Sequence, residues 1–311
     1  MWRGGRWSAP CSDAGKMEKD KTCRYDDDFK ARARAHQFAF RERVLHDFYE
    51  EKWPQVLLSP ESARRGLIFC EAYRDRILRK VGQFGTSAVF SNLLRSEHIP
   101  YNLFVPMEED LENAGRLFNE ITGAGISAVT RIDIEFAGYA DRSLYLNDRT
   151  SFDAYIEYTD GAGRKGAVGI EVKYTENSYP LGAKEARDIS DAAGPYARMT
   201  RQSGYFLPDL DVTTFLRAHH LRQMWRNHLL GYAMVRRGDI RQFHYLHLYP
   251  RGNVHFHRHA LPEYRLLLSP AGQRSFVGLT YEDFFEMLRR YFTSDRQRTW
   301  VDYLYARYLD L

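Results

Sequence analysis

Hydrophobic and polar residues alternate along several short segments of the chain and recur at helical spacing along others. A period of two, or a short apolar run, indicates β-strands, because successive side chains of a strand point to opposite faces. This pattern predicts strands at 127–137, 152–158, 167–174 and 242–249. The helical period predicts helices at 28–52 (one or two), 61–78, 87–97, 108–122, 212–235, 280–291 and 300–309. Helices and strands mixed in this order predict an α/β fold.

Composition and charge narrow the class of protein. The chain has 311 residues, of which 14% are aromatic, as is typical of a packed globular protein with a sizeable core. The net charge of +4 does not by itself indicate a nucleic-acid binder, and the three scattered cysteines fit neither a disulfide framework nor a zinc site. No apolar run reaches the ~20 residues of a membrane span. We expect a cytoplasmic protein whose residues 1–20 form a disordered extension, with Met17 as an alternative start.

Two carboxylates and a lysine stand at matching positions of the second and third predicted strands. Asp153 lies near the start of one strand, Glu171 and Lys173 lie near the end of the next, and a Gly-rich turn at 161–163 separates them. Glu171 and Lys173 share one face of their strand, and Asp153 can join them if the strands form a hairpin. Two carboxylates suit a hard cation such as Mg²⁺, and an ammonium group suits a phosphate beside it.

A solvated strand face is the alternative explanation for a Glu-x-Lys triplet. The context favours chemistry, because the apolar run 167–170 leads directly into Glu171 and uncompensated charge on a buried strand is costly. The following residues 175–211 are rich in Gly, Pro, Asp and Ser, which is too long a stretch for a simple connector. We interpret it as an insertion over the face that carries these three side chains.

Three segments resemble the PD-(D/E)XK nuclease superfamily and, in more detail, a little-characterised bacterial family of such nuclease-like proteins. They are SNLLRSEHIPYNLFVPM (91–107), RTSFDAYIEYT (149–159) and GIEVKYTE (169–176). The second motif departs from the superfamily name, since Ser151-Phe152 stands where a proline is usual. The resemblance implies a restriction-endonuclease-like core over about 85–250, with a mixed central sheet of about four strands flanked by helices. Additional N- and C-terminal helices would complete a single domain of residues 28–311.

The resemblance also implies roles for individual residues. Asp153 and Glu171, helped by the carbonyl of Val172, would hold Mg²⁺ or Mn²⁺. Lys173 would position or deprotonate the attacking water and stabilise the transition state. A lysine acts as a base only if its surroundings lower its pKa. A polar residue on the helix after the third strand, often Gln, faces the carboxylates in this superfamily, which makes Gln223 a candidate.

In this superfamily a carboxylate from the helix before the first strand often joins the metal site. Glu97, with His98 beside it, is the candidate for this role. The alternative is that Glu97 only forms a local salt bridge. Arginines concentrate in residues 217–241, where six of them accompany one acid. Arg222 and Arg226 lie opposite an apolar helical stripe, and we predict that they contact phosphates of the nucleic acid. Arg226 is also a second candidate, after Gln223, for the polar residue that faces the carboxylates. A solvated helix face is the alternative.

Two further patterns leave alternatives open. Asp133 and Glu135 lie two apart on the first predicted strand and could supply another metal carboxylate, although an exposed strand face would have the same pattern. His255, His257 and His259 alternate along a segment that could be a strand with a transition-metal site, or a strand that simply carries histidines.

The sequence therefore predicts a bacterial enzyme that hydrolyses phosphodiester bonds, with DNA as the expected partner, no membrane association and homodimerisation left open. Two alternatives remain. One is a non-catalytic protein that binds nucleic acid or a protein partner and retains the nuclease fold. The other is a metal-dependent enzyme that acts on a different phosphorylated substrate.

Overall fold

A mixed five-stranded sheet forms the centre of the protein. In the computed structural model, which describes residues 26–49, 56–82, 88–177 and 183–309, the strands are β1 (Ile126–Phe136), β2 (Phe152–Asp160), β3 (Lys165–Val172), β4 (Gln242–Tyr249) and β5 (Phe276–Thr280). They lie in the order β1-β2-β3-β4-β5. Strands β1, β2 and β3 pair antiparallel, whereas β3, β4 and β5 pair parallel. The α/β class and the four predicted strands are confirmed, and β5 is an additional strand. The predicted N-terminal extension lies outside the described residues.

Helices cover both faces of the sheet. Five precede it: α1 (Asp28–Arg43), α2 (Pro60–Arg64), α3 (Arg74–Val81), α4 (Ile99–Phe104) and α5 (Leu111–Thr122). Between β3 and β4 lie α6 (Ala183–Ser190), α7 (Pro195–Ser203), α8 (Thr213–Arg217) and α9 (Arg222–Arg237). Between β4 and β5 lie α10 (Leu261–Leu266) and α11 (Pro270–Ser275), and α12 (Tyr281–Tyr291) and α13 (Asp295–Tyr308) follow β5.

Each face of the sheet has its own hydrophobic core. On one face, Ile156 and Ile170 belong to a cluster that includes side chains of α4, α5, α12 and α13, with Trp300 completely buried. On the other face, Tyr245 belongs to a cluster with α7, α9 and α10, where Trp225 is completely buried. The alternation along the strands assigns side chains to the two cores. The polar residues of the candidate site belong to the second face.

Helix α9 approaches the sheet closely because it carries a glycine at the contact. A Cβ atom on Gly231 would lie 2.0 Å from Cε1 of Phe243 on β4, which is far inside van der Waals contact. A larger residue would therefore require either the helix or the ring of Phe243 to move. The close approach brings the N-terminal half of α9, with Gln223 and Asn227, against β3.

Four predicted helices differ from the structure. The segment 28–52 contains one helix, α1, which ends at Arg43, and residues 45–49 lie outside helices. The segment 61–78 contains two helices, because the chain leaves α2 through Gly66 in the left-handed conformation (φ 68°). The segment 212–235 is divided into α8 and α9, since Ala218 has a non-helical ψ of 77°. The described part of 87–97 has only a short 3₁₀-helix at Ala88–Ser91. Pro100 does not end that helix but opens α4, where its fixed φ fits and its missing N–H is not needed.

Candidate active site

Three carboxylates form one row across three neighbouring strands. The register of β1 and β2 places Glu135 opposite Asp153, and the register of β2 and β3, continued by one residue, places Asp153 opposite Glu171. Directly opposed residues have Cβ atoms about 4.5–5.5 Å apart. Lys173 follows two residues after Glu171 on the same chain segment. The hairpin thus brings Asp153, Glu171 and Lys173 to one point of the sheet.

Glu171 is the most enclosed member of the row, with no exposed surface. Its Oε1 atom lies 2.5 Å from Nζ of Lys173 and also accepts a hydrogen bond from the side-chain amide of Gln223. Its Oε2 atom accepts a hydrogen bond of 2.6 Å from Nδ2 of Asn227. A buried carboxylate requires such compensation. The two amides of α9 also fix the direction in which Glu171 presents its oxygens.

Asp153 lies beside Glu171, but no lysine or arginine of the described residues is as close to it as Lys173 is to Glu171. Its Oδ2 atom accepts a hydrogen bond of 2.7 Å from the backbone N–H of Val172, which is the residue between Glu171 and Lys173. Burial and the charge of Glu171 raise the pKa of Asp153 well above its usual value, and Lys173 opposes this only in part. The arrangement therefore contains electrostatic repulsion that an added cation would relieve.

Lys173 is held as an ammonium ion. Burial acts to lower its pKa, but the charges of Glu171 and Asp153 outweigh burial and raise the pKa above its usual value. Its backbone is fixed on both sides, because its N–H donates to the carbonyl of Leu248 (2.8 Å) and its carbonyl accepts from the hydroxyl of Tyr281 (2.7 Å). In this state the side chain is positively charged and donates to Glu171.

The donor set fits a hard divalent cation. Mg²⁺ prefers oxygen ligands and is commonly held by one or two protein carboxylates together with several waters. Asp153 and Glu171 meet that need, and their repulsion favours an added positive charge. Within the described part of the chain, no group of three or more His, Cys, Asp or Glu side chains is placed so that it could hold a metal ion. Any ion here would therefore have only these two side-chain carboxylates as ligands.

A family model described as the PD-(D/E)XK nuclease superfamily matches residues 24–310 of the chain. The chain belongs to this superfamily. Membership and the mixed sheet flanked by helices confirm the restriction-endonuclease-like fold. Searches of curated proteins and of solved structures each found no significant match. No helix among the described residues is long and apolar enough to cross a membrane.

The superfamily's usual helical carboxylate was predicted at Glu97. Glu97 lies in the short connection before α4, where the guanidinium of Arg95 donates hydrogen bonds to both of its carboxylate oxygens. Its charge is still close enough to affect Glu135. The neighbouring His98 is completely buried and bonds to Arg307 at 3.1 Å, so it belongs to the core and not to the site.

The two arginines predicted to contact phosphates lie inside the protein. Arg222 and Arg226 are only 2% and 7% exposed. Arg226 donates to Asp148 at 3.0 Å and to Thr150 at 3.1 Å, and thereby ties α9 to the connection before β2. Arg222 contacts His219. Neither arginine therefore lies on a solvated helix face, although Arg236 and Arg237 at the C-terminal end of α9 are exposed.

Two more sequence-based hypotheses are corrected or refined by the geometry. Residues His255–Ala260 form a π-helix, so the three alternating histidines do not lie along one side of a strand. Asp133 pairs with Arg131 at 2.7 Å, whereas Glu135 joins the carboxylate row. Asn227 was not singled out as a site residue from the sequence. Its position four residues after Gln223, on the same face of α9, is the signal that could have identified it.

Proposed function

We propose that the protein is a metal-dependent nuclease that hydrolyses phosphodiester bonds, with DNA as its substrate. The observation that supports this proposal is the meeting of Asp153, Glu171 and Lys173 at one point of a restriction-endonuclease-like sheet. Superfamily membership suggests a nuclease in general terms. The dependence on Mg²⁺ or Mn²⁺ and the choice of DNA belong to the proposal.

Asp153 and Glu171, with the main-chain carbonyl of Val172, would hold the cation. When bound, such an ion lowers the pKa of a coordinated water and neutralises charge on the attacked phosphate. Gln223 and Asn227 keep Glu171 oriented through their hydrogen bonds, which limits the reorganisation needed during the reaction. This role for Gln223 is one of positioning.

Lys173 would contribute positive charge and not basicity. Its raised pKa keeps it protonated, so it suits stabilisation of the negative charge that develops on the phosphate and orientation of the attacking water. The ammonium group and a bound cation share the same carboxylate partners. Removal of the lysine should therefore leave cation binding intact or strengthen it.

The decisive experiment compares Lys173→Met with Lys165→Met. Both substitutions remove an ammonium group from the same strand segment, but Lys165 lies at the other end of β3, ~26 Å away at the rise of an extended strand, and pairs with Glu157. Labelled single- and double-stranded DNA are incubated with each variant in Mg²⁺ or Mn²⁺, and Mn²⁺ binding is measured by calorimetry. We expect Lys173→Met to reduce the rate about 10²–10⁴-fold while it retains Mn²⁺ binding. Lys165→Met should cleave at the wild-type rate.

Asp153→Asn serves as the metal-binding control and should lose both cleavage and Mn²⁺ binding. Cleavage by the wild type should stop in excess chelator. If Lys173→Met cleaves DNA as fast as the wild type, the lysine has no part in catalysis. If the wild type binds DNA but cleaves neither form with any divalent ion, the protein is better described as a binding protein that retains the nuclease fold.

A further inference from the structure

His247 is a buried histidine on β4, directly beside the candidate active site. Its Cα is paired with that of Glu171 in the parallel register of β3 and β4, so the two side chains are neighbours on the same face of the sheet. Like Glu171, His247 has no exposed surface. The ring of Phe256 packs against the imidazole, with the ring centroids 4.8 Å apart. An imidazole in a fixed position therefore lies next to the most enclosed carboxylate of the site.

The two ring nitrogens of His247 have different surroundings. Nδ1 lies 3.0 Å from the hydroxyl oxygen of Tyr245. Nε2 is buried and has no hydrogen-bond partner among the described residues. Burial, and after it the charge of Lys173, lowers the pKa of His247 well below its usual value, so the imidazole is neutral and has one donor and one acceptor nitrogen. Buried polar atoms are rarely left without a partner, and ordered water often supplies one.

A small cavity adjoins His247, and its lining includes Lys173 and Gln223. The cavity volume is about 10 Å³, which is close to the space that one water molecule needs and is too small for a nucleotide. A buried water also needs two to four polar partners. The ammonium of Lys173, the amide of Gln223 and the imidazole of His247 can supply them. The size and the chemistry of the cavity therefore both suit a single water.

The neighbouring polar contacts form a chain from Lys173 to His247. Nζ of Lys173 lies 2.5 Å from Oε1 of Glu171, and Oε2 of Glu171 accepts a hydrogen bond of 2.6 Å from Asn227. The side chain of Asn227 also reaches the hydroxyl of Tyr245, which in turn contacts Nδ1 of His247. One water between Nε2 of His247 and Nζ of Lys173 would close this chain into a ring around Glu171.

We propose that His247 is a positioning residue, which holds the ammonium of Lys173 through one ordered water in this cavity. The inference rests on the proposed nuclease function and adds to it a residue that acts through Lys173. The ammonium donates to the water, the water donates to Nε2 of His247, and Nδ1–H of His247 donates to the hydroxyl oxygen of Tyr245. This order fixes the tautomer, because only an unprotonated Nε2 can accept a hydrogen bond. Partners of this kind orient the residues that contact a substrate.

The tautomer and the water can be tested without DNA or metal. In protein labelled with ¹⁵N at histidine, the NMR signals of His247, identified by their loss in His247→Gln, should show a protonated Nδ1 and an unprotonated Nε2. A crystal structure should place an ordered water within hydrogen-bond distance of both Nε2 of His247 and Nζ of Lys173. A proton on Nε2, or direct contact of these two nitrogens without a water, would overturn the inference.

The positioning role is tested by the kinetics of DNA cleavage by His247→Leu and His247→Gln. The side-chain oxygen of glutamine can accept from the water, whereas leucine cannot. We expect His247→Leu to reduce kcat about 10–100-fold, with KM and Mn²⁺ binding near the wild-type values, and His247→Gln to recover most of that loss. His244 is the matched control, because it is buried on the same strand but lines a different cavity. His244→Leu should keep the wild-type kcat.

Tyr245→Phe removes only a hydroxyl and provides a second test if His247→Leu does not fold. It should also lower kcat, and its effect should not add to that of His247→Leu, because both substitutions break the same chain of contacts. If the folded variants melt at lower temperature but keep the wild-type kcat, His247 is only structural, and the inference is overturned while the nuclease proposal stands. If the wild type cleaves no DNA with any divalent ion, the nuclease proposal fails, and the NMR and crystallographic measurements alone decide whether the ring exists.

Discussion

Asp153→Asn is expected to stabilise the metal-free protein and, at the same time, to remove its response to divalent cations. Asp153 lies in a row with two other carboxylates, and Lys173 is the cation that acts on it. Asparagine has nearly the same shape and can still accept the hydrogen bond from the N–H of Val172. The substitution therefore removes the charge while it changes packing very little.

The magnitude follows from Coulomb's law. Two like charges about 5 Å apart repel by roughly 3 kcal/mol at an effective dielectric constant of about 20. Asp153 faces two negative neighbours, Glu171 and Glu135, and one positive neighbour, Lys173, so about one such repulsion remains. The weaker hydrogen bond to a neutral acceptor returns about 1 kcal/mol. We expect a net gain of about 2 kcal/mol, which corresponds to a rise in Tm of roughly 3–6 °C.

The assay is thermal or urea unfolding in chelator at several pH values. The folded state raises the pKa of Asp153, so the folded protein holds this proton more tightly than the unfolded chain does. The stability from the protonated carboxyl is complete below the unfolded pKa of about 3.9 and is lost as the pH rises through the folded pKa. The advantage of Asp153→Asn should be largest at pH 7.5 and should diminish as the pH decreases toward 4.

Asp148→Asn is the matched control with the opposite sign. Asp148 accepts hydrogen bonds from Arg226 (3.0 Å) and from Thr150, and Arg226 is buried. Loss of that charge leaves a buried guanidinium uncompensated, so stability should decrease by about 3 kcal/mol. Addition of Mg²⁺ should raise the Tm of the wild type but not that of Asp153→Asn. An Asp153→Asn variant that melts below the wild type in chelator at pH 7.5 would refute the repulsion argument.

Two further predictions concern the scaffold. Burial lowers the pKa of His228 to about 3 and that of His244 to about 4, so the unfolded chain binds these protons first as the pH falls below about 6.5. Each residue should therefore reduce the free energy of unfolding by about 1.4 kcal/mol per pH unit. Urea titrations of Asp153→Asn between pH 7 and 5 that show constant stability would contradict this. Gly231→Ala should reduce the free energy of unfolding by about 1–3 kcal/mol and also slow cleavage, because the new methyl collides with Phe243 and moves α9 away from Glu171. A variant with unchanged Tm and unchanged rate would show that α9 can shift freely.

The sequence by itself determined the fold class and the centre of the site. Strands β1 to β4 were predictable because their apolar residues alternate or form short runs, and such patterns depend only on local geometry. The hairpin of β2 and β3 was equally local, since the glycine-containing turn lies between two segments whose periods match. Asp153 and Glu171 were therefore expected to meet, because a hairpin with known register has few ways to arrange them.

Only the tertiary structure decided which other polar residues join that centre. Arg226 and Gln223 lie on one helix and look alike on a helical wheel, but the neighbouring elements bury Arg226 against Asp148 and place Gln223 against Glu171. Asp133 and Glu135 have the same strand pattern and differ in their partners. These outcomes depend on contacts between residues far apart in the chain and on the burial that those contacts create. Local periodicity encodes neither the contacts nor the burial. Whether the pKa of Lys173 is raised or lowered, which decides the chemistry open to that lysine, therefore depends on the folded protein.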